Sequence, residues 1–472
     1  MRYFPAVRFL PAIVILLLLG MTTSNVYPVL KTNLELWNLT PAPMPSWEGV
    51  EPGKQKIGQK IYDVDTHLIH RGLLKAPNFA DTSHWWYGTW VGQVPFYRPL
   101  TSMVFWMEWK LWGDREARYN IVGPLLHIAA VGCLATFALQ LYRRFAIPYP
   151  LLAILLCGSI FIDGGDILLT QDLITYETYR EWKNQPDCLV LIWFSLCLLF
   201  YVRDQESHRR TFLPLLMLIL LLLTKEAGVF LPLLLPLLEL RNGRIDRESW
   251  RRMTPLLITL PVYLIMRALF LGDAIGYRYG SNDAWTFRLL QNVFGPVSEC
   301  LAGHRWLLVS AAVYLTIAVC LFIRQTRFDK PMPKRDQWLW LILAPAGLVT
   351  VSTFAQYAEQ GILDPTQPPI ILLHPSSLIL IRSQLLFMLS FAALVWKRPQ
   401  LLAMLYLWAL LALGLTLFSP SVLHRYYIVN ASFALILGAG LTFLLQGIVR
   451  RIQRRWQTFS AEKFKPLSAN PA

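Results

Sequence analysis

Residues 211–240 read TFLPLLMLILLLLTKEAGVFLPLLLPLLEL. About 20 mostly apolar residues carry a helix across the ~30 Å hydrocarbon layer of a bilayer, so this run is too long for one crossing. Its middle carries Lys225-Glu226-Ala227-Gly228, and two charges left in lipid are costly. The stretch is therefore predicted to form a hairpin of two short helices, with Lys225 and Glu226 at the turn.

Other runs that can cross lie near residues 5–22, 119–142, 148–163, 187–202, 254–271, 306–323, 337–354, 378–396, 400–418 and 428–449. With the hairpin they make twelve predicted spans. Basic residues concentrate in cytoplasmic loops of membrane proteins, which tests this count. With a cytoplasmic N-terminus, the inside segments collect 25 Lys and Arg against eight acids, and every inside segment is basic. The remaining 19 basic and 21 acidic residues lie outside or within spans. Reading 211–240 as one span breaks the alternation. Arg2, Arg8 and the apolar run to Leu19 also fit a signal peptide, but Gly20-Met21-Thr22-Thr23-Ser24-Asn25 is an indifferent cleavage site. An uncleaved anchor is expected, and either reading puts residue 25 outside.

The composition agrees. Of 472 residues, 55% are hydrophobic and 15% charged, against about 25% charged in average globular domains. The formal net charge of +15 suggests nucleic acid, but apolar runs of this length exclude it; the excess is topology. Six cysteines in so long a chain make no disulfide framework, and five of them fall in apolar runs. The fold class expected is an all-α polytopic bundle of about 12 transmembrane helices, occupying residues 1–449. A basic tail, 450–472, is expected in the cytoplasm with the N-terminus. A bacterial plasma membrane is the default location.

The outer face then carries a large loop, 23–118, and a second loop, 164–187. The large loop holds Trp47, Trp85, Trp86, Trp90, Trp106, Trp109 and Trp112. Tryptophan favours the membrane interface because its ring is apolar while its N–H needs a partner. Anchoring is the plain reading and sugar stacking the sharper one. Met103–Trp112 is too short to span and is expected to lie in the interface. Asp65-Thr66-His67-Leu68-Ile69-His70 reads as an N-cap and the start of a helix, and Asp63 stands two residues before the cap. His67, His70 and His84 share this loop with Asp63, Asp65 and Asp81, but no metalloenzyme spacing appears. No cofactor is expected; a divalent metal stays open as the alternative.

The topology also places Lys225, Arg267, Arg382, Arg425 and Arg98 at the outer membrane edge. Cations at that depth usually face a bundle interior or a water-filled cavity. Carboxylates in water above such cations suit one chemistry: cations hold a lipid-borne phosphate while a carboxylate takes a proton from an acceptor hydroxyl.

The order of these elements resembles the GT-C superfamily of polyprenyl-phosphate-sugar-dependent glycosyltransferases. Within it, the membrane part of the transmembrane and tetratricopeptide-repeat O-mannosyltransferases and their bacterial relatives is the nearest pattern. Tyr97-Arg98-Pro99-Leu100 is similar to the family's YRPL-like element. His127 keeps the last position of an HxxNxxxH-like element, with Asn120 and Gly123 at two others. Glu177 and, ten residues on, Asp187 match an acidic pair in the second loop, with Gln185 where the family has Arg. Lys225-Glu226-Ala227-Gly228-Val229-Phe230-Leu231-Pro232 matches a KE element before an apolar Pro. Arg425-Tyr426-Tyr427 with Asn430-Ala431-Ser432-Phe433 is similar to a late RYxYxPSxGF-like element. The family's adjacent acids are separated here as Asp63-Val64-Asp65, which leaves open which is the base. No tetratricopeptide repeats follow the last span, so the acceptor does not carry over.

The resemblance implies an inverting transfer from a polyprenyl-phosphate-linked sugar to a protein, lipid or glycan acceptor on the outer face, and a monophosphate donor would need no metal if the cations suffice. Asp65 or Asp63 would be the catalytic base. Glu177, Asp187 and His127 would orient acceptor or sugar. Lys225, Glu226, Arg98, Arg425 and Tyr426 would hold the donor phosphate. Membrane lipid is the expected partner and nucleic acid is not. A catalytically inactive scaffold, a secondary transporter and a ligase with a diphosphate donor are the alternatives.

Overall fold

The computed structural model describes residues 6–37, 56–57, 60–61, 64–92, 96–113, 115–163, 182–207, 211–240, 245–272, 389–417 and 427–463. Apart from a two-residue antiparallel ladder, Lys56–Ile57 against Lys60–Ile61, the regular structure among these residues is helical. Five stretches are long and apolar enough to cross a membrane: Phe9–Glu35, Ala117–Arg144, Trp182–Ser207, Arg247–Leu271 and Asn430–Phe459. The runs near 306–323 and 337–354, and most of that near 378–396, lie outside the described residues.

The bundle is built outward from one buried helix. We number the helices α1 (Ala6–Glu35), α2 (Val64–Leu74), α3 (Pro99–Trp112), α4 (Glu116–Arg144), α5 (Pro150–Asp163) and α6 (Gln185–Ser207). The hairpin comes next as α7 (Leu213–Thr224) and α8 (Leu231–Glu239), then α9 (Arg247–Leu271), α10 (Pro399–Leu417) and α11 (Tyr427–Lys463). Helix α6 is buried along most of its length, including Cys188, Phe194, Cys197 and Tyr201. An apolar helix surrounded on all sides belongs at the centre of a bundle. Helices α4 and α7 flank it; α1 packs on α4 and α5, and α11 joins α5 to α10. At Gly438 an added Cβ would meet the Ala153 carbonyl oxygen at 2.5 Å, so only glycine lets α11 approach α5 this closely.

The 211–240 stretch reverses direction, and α6 marks both ends of the reversal. Lys225 reaches Asp187 in the first turn of α6, whereas Glu239, ending α8, bonds Tyr201 and Gln205 near its last turns. The break falls at Lys225, whose extended backbone (φ −161°, ψ 142°) ends α7, and Glu226–Gly228 forms one tight 3-10 turn. The arms share α9 but otherwise splay to different neighbours: α7 packs on α6 and α3, α8 on α10.

A second, smaller core lies beside the bundle. Trp85, Trp90, Phe96 and Phe105 bury one another with Ile69 and Leu73 of α2, Tyr119 of α4 and Trp182. Two of the loop tryptophans therefore form a core rather than an anchor: Trp85 is 1% exposed and Trp90 7%. The reason is local density, since α2, α3 and a 3-10 turn at Phe79–Trp86 supply enough apolar faces to shelter them. Asp65 is also placed differently from the expectation. Helix α2 begins at Val64, so Asp65 stands inside the first turn rather than at the cap. A negative charge there complements the positive helix N-terminus equally well.

Candidate functional site

Four sequence-predicted residues meet at the N-terminal end of α6. Arg98 occupies the N-cap position of α3, and its guanidinium grips both carboxylate oxygens of Glu226, from Nε at 2.8 Å and from Nη2. The same guanidinium lies over the Phe96 ring at 4.2 Å and the Trp90 ring at 5.1 Å. Stacked and bidentate contacts of this kind require arginine; lysine cannot make both. Lys225 donates from Nζ to Asp187 Oδ1 at 2.6 Å. Thr101 Oγ1 donates to the Thr224 carbonyl at 2.6 Å, pinning α3 to the end of α7. All four charged side chains are buried.

A fifth charge completes the cluster. Arg267 of α9 is 3% exposed and acts electrostatically on both Glu226 and Tyr263. Its Nε and Nη2 have no hydrogen-bond partner at bonding distance among the described residues. Buried donors without partners are rare because each costs its full desolvation. Among the described residues the cluster holds three cations (Arg98, Lys225, Arg267) and two carboxylates (Asp187, Glu226). Counted over the described residues alone, this leaves one positive charge and two open Arg267 donors, an arrangement chemically suited to an anion.

His127 of α4 stands one step behind. Its Nδ1 pairs with the Tyr427 hydroxyl at 2.6 Å, and Phe161 packs against both rings. Tyr427 also approaches Cys188, the neighbour of Asp187. Asp187 thus pairs with Lys225 and His127 with Tyr427. Asn120 Oδ1 accepts from the Trp182 backbone N–H at 3.1 Å, and Gln185 Nε2 donates to the Tyr119 carbonyl at 3.0 Å. Two of the positions that differ from that pattern, Asn120 and Gln185, thus bond backbone at the α4–α6 junction.

No family model, curated protein or solved structure matches this chain. Its site is therefore read from its own geometry.

Asp63, Glu177, Arg425 and Tyr426 lie outside the described residues, and so does the side chain of Asp65. Helix α2, which carries Asp65, packs on α3. Among the described residues no group of three His, Cys, Asp or Glu side chains gathers as a metal site would require. One charged group that sequence reasoning missed is Glu108. It is 5% exposed on the face of α3 that also carries Phe105 and Trp112. Those rings pack on Trp182 and Tyr119. Gln185 is its polar neighbour, yet neither Glu108 oxygen has a partner at bonding distance among the described residues. Burial pushes its carboxyl up to about 8. The only sequence signal was an acid within the decapeptide Met103–Trp112, which is otherwise apolar apart from Lys110.

Proposed function

We propose that this chain is an integral membrane glycosyltransferase taking sugar from a polyprenyl-phosphate donor. One observation carries the reading: Arg267, the third cation beside two carboxylates among the described residues, is buried with Nε and Nη2 lacking a partner at bonding distance there. A lipid-borne phosphate supplies the missing negative charge and several acceptor oxygens. The resemblance of the surrounding motifs to GT-C enzymes supports the choice of a sugar phosphate.

In this reading the chain crosses the membrane twelve times, with both termini cytoplasmic and the cluster at the outer edge. The acceptor hydroxyl oxygen attacks the anomeric carbon as the bond from that carbon to the phosphate oxygen breaks. Asp65 or Asp63 takes the hydroxyl proton, and the polyprenyl phosphate leaves with the bonding electrons. Arg267, with Arg98, Lys225, Arg425 and Tyr426, stabilises that departing charge. Glu177 orients the acceptor. Asp187 and Glu226 hold Lys225 and Arg98 in position, so their role is positional. A single displacement inverts the anomeric centre and needs one base.

The test is transfer in membranes by Asp63→Asn, Asp65→Asn and the double variant, with a radiolabelled polyprenyl-phosphate sugar. Loss of transfer in one single variant identifies the base. Full activity in the double variant overturns the mechanism.

A further inference from the structure

Helix α11 runs unbroken through 37 residues, about 55 Å, whereas roughly 20 residues cross the hydrocarbon of a bilayer. Phe443 is the last of its side chains packed against the bundle core among the described residues. Toward its C-terminal end the helix is exposed and amphipathic. At about 100° per residue, Ile448, Val449, Ile452, Trp456 and Phe459 fall within a sector of about 100°. Arg450, Arg451, Arg454 and Arg455 fall outside that sector, within about 140° of one another, with Arg455 flanking Ile448. Trp456 is 68% exposed and Phe459 57%. The exposed apolar stripe of Ile448, Val449, Ile452 and Trp456 beside four arginines suits a partner that is apolar and negative together.

We infer that the segment of α11 from Ile448 onward docks on anionic phospholipid at the membrane face where the helix emerges. Charge complementarity selects this occupant. A second copy of the helix would crowd eight arginines together, whereas an anionic headgroup layer receives all four and acyl chains receive the stripe. Tryptophan next to arginine is also the pairing that suits a membrane interface. Gly447, at the junction, is the residue type that most weakens a helix interior, and a Cβ there would meet nothing within 4 Å. It is the natural bend by which the segment lies down. The inference rests on α11 crossing a membrane and not on sugar transfer, so its test leaves transfer aside.

The full-length protein is placed in nanodiscs of phosphatidylcholine alone, or with one-quarter phosphatidylglycerol, and treated with chymotrypsin. Mass spectrometry tracks release of the peptide cut after Trp456. The expected result is cleavage at least about tenfold slower in the anionic discs. Raising NaCl to about 0.5 M should restore it, because headgroup attraction is screened. The variant R450Q/R451Q/R454Q/R455Q, still cleavable by chymotrypsin, should be cut equally fast in both discs. Equal cleavage of the natural chain in both discs overturns the inference. So does equal protection in both, or protection in detergent without added lipid; the last points to a protein partner.

Discussion

The two ends of α6 each hold a buried ionic cluster, and they are built on different plans. At the C-terminal end, Glu239 accepts five hydrogen bonds. They come from Tyr201 at 2.7 Å, Gln205 and Ser249 at 2.6 Å, and Arg252 Nε and Nη2 at 3.0 and 3.1 Å. Arg144 bonds Gln205 and the Leu238 carbonyl. No side-chain atom of Glu239, Arg252 or Arg144 is buried without a partner. At the N-terminal end, the ion pairs Arg98–Glu226 and Lys225–Asp187 are closed, but Arg267 and Glu108 are not satisfied among the described residues. A closed cluster joins helices. An open one keeps binding capacity at a cost in stability, as functional sites do.

The sharpest way to break this comparison is Glu239→Ala. It strands Arg252 and the other donors, and should lower unfolding stability by about 3–5 kcal/mol. Thermal unfolding of the detergent-purified protein measures it; a loss below about 1 kcal/mol would mean the cluster is not a structural joint. Next comes pH. Glutamates of the unfolded chain ionise near 4.5, while Glu108 keeps its proton to about 8. The unfolded state therefore holds fewer protons across that window, and stability falls as pH rises through it. The Glu108→Gln variant should lack this decline, worth on the order of 2–4 kcal/mol between pH 5 and 8. Parallel slopes for both proteins would contradict the assignment.

Arg98→Met should cost about 2 kcal/mol, less than Glu239→Ala because Arg267 remains near Glu226. The double variant Arg98→Met/Glu226→Met should recover most of the loss, and a double-mutant cycle measures the coupling. Tyr427→Phe removes one hydrogen bond to His127 and should cost about 1 kcal/mol. The smallest stability effect belongs to Arg267→Gln, within about 0.5 kcal/mol, since its Nε and Nη2 have no bond to lose and Gln can still reach a polar neighbour such as Tyr263. Yet it should weaken binding of polyprenyl monophosphate by about tenfold or more. Destabilisation without any change in binding would make Arg267 a joint like Arg252.

Some of this site was legible beforehand. Lys225-Glu226 interrupts a 30-residue apolar run, and charge in lipid must be explained, so both the turn and its importance were readable. Arg98 was readable through its motif. Arg267 was visible only as one cation within an apolar stretch, with nothing to separate it from Arg382. Glu108 was read as part of an interfacial helix, and Trp85 and Trp90 as surface aromatics. Their burial depends on neighbours as remote as Tyr119 and Trp182.

The sequence by itself determined the class of the chain and the place of its central break. Both come from transfer free energy, which accumulates along contiguous residues and needs no knowledge of neighbours. Only the tertiary structure decided which charges meet: Arg98 with Glu226 across 128 residues, His127 with Tyr427 across 300, and Arg267 beside Tyr263 and Glu226 with Nε and Nη2 unmatched at bonding distance among the described residues. Ion pairs and hydrogen bonds act over about 3 Å, and that proximity is set by how helices pack. The surplus charge that marks the candidate site is therefore a property of the packing.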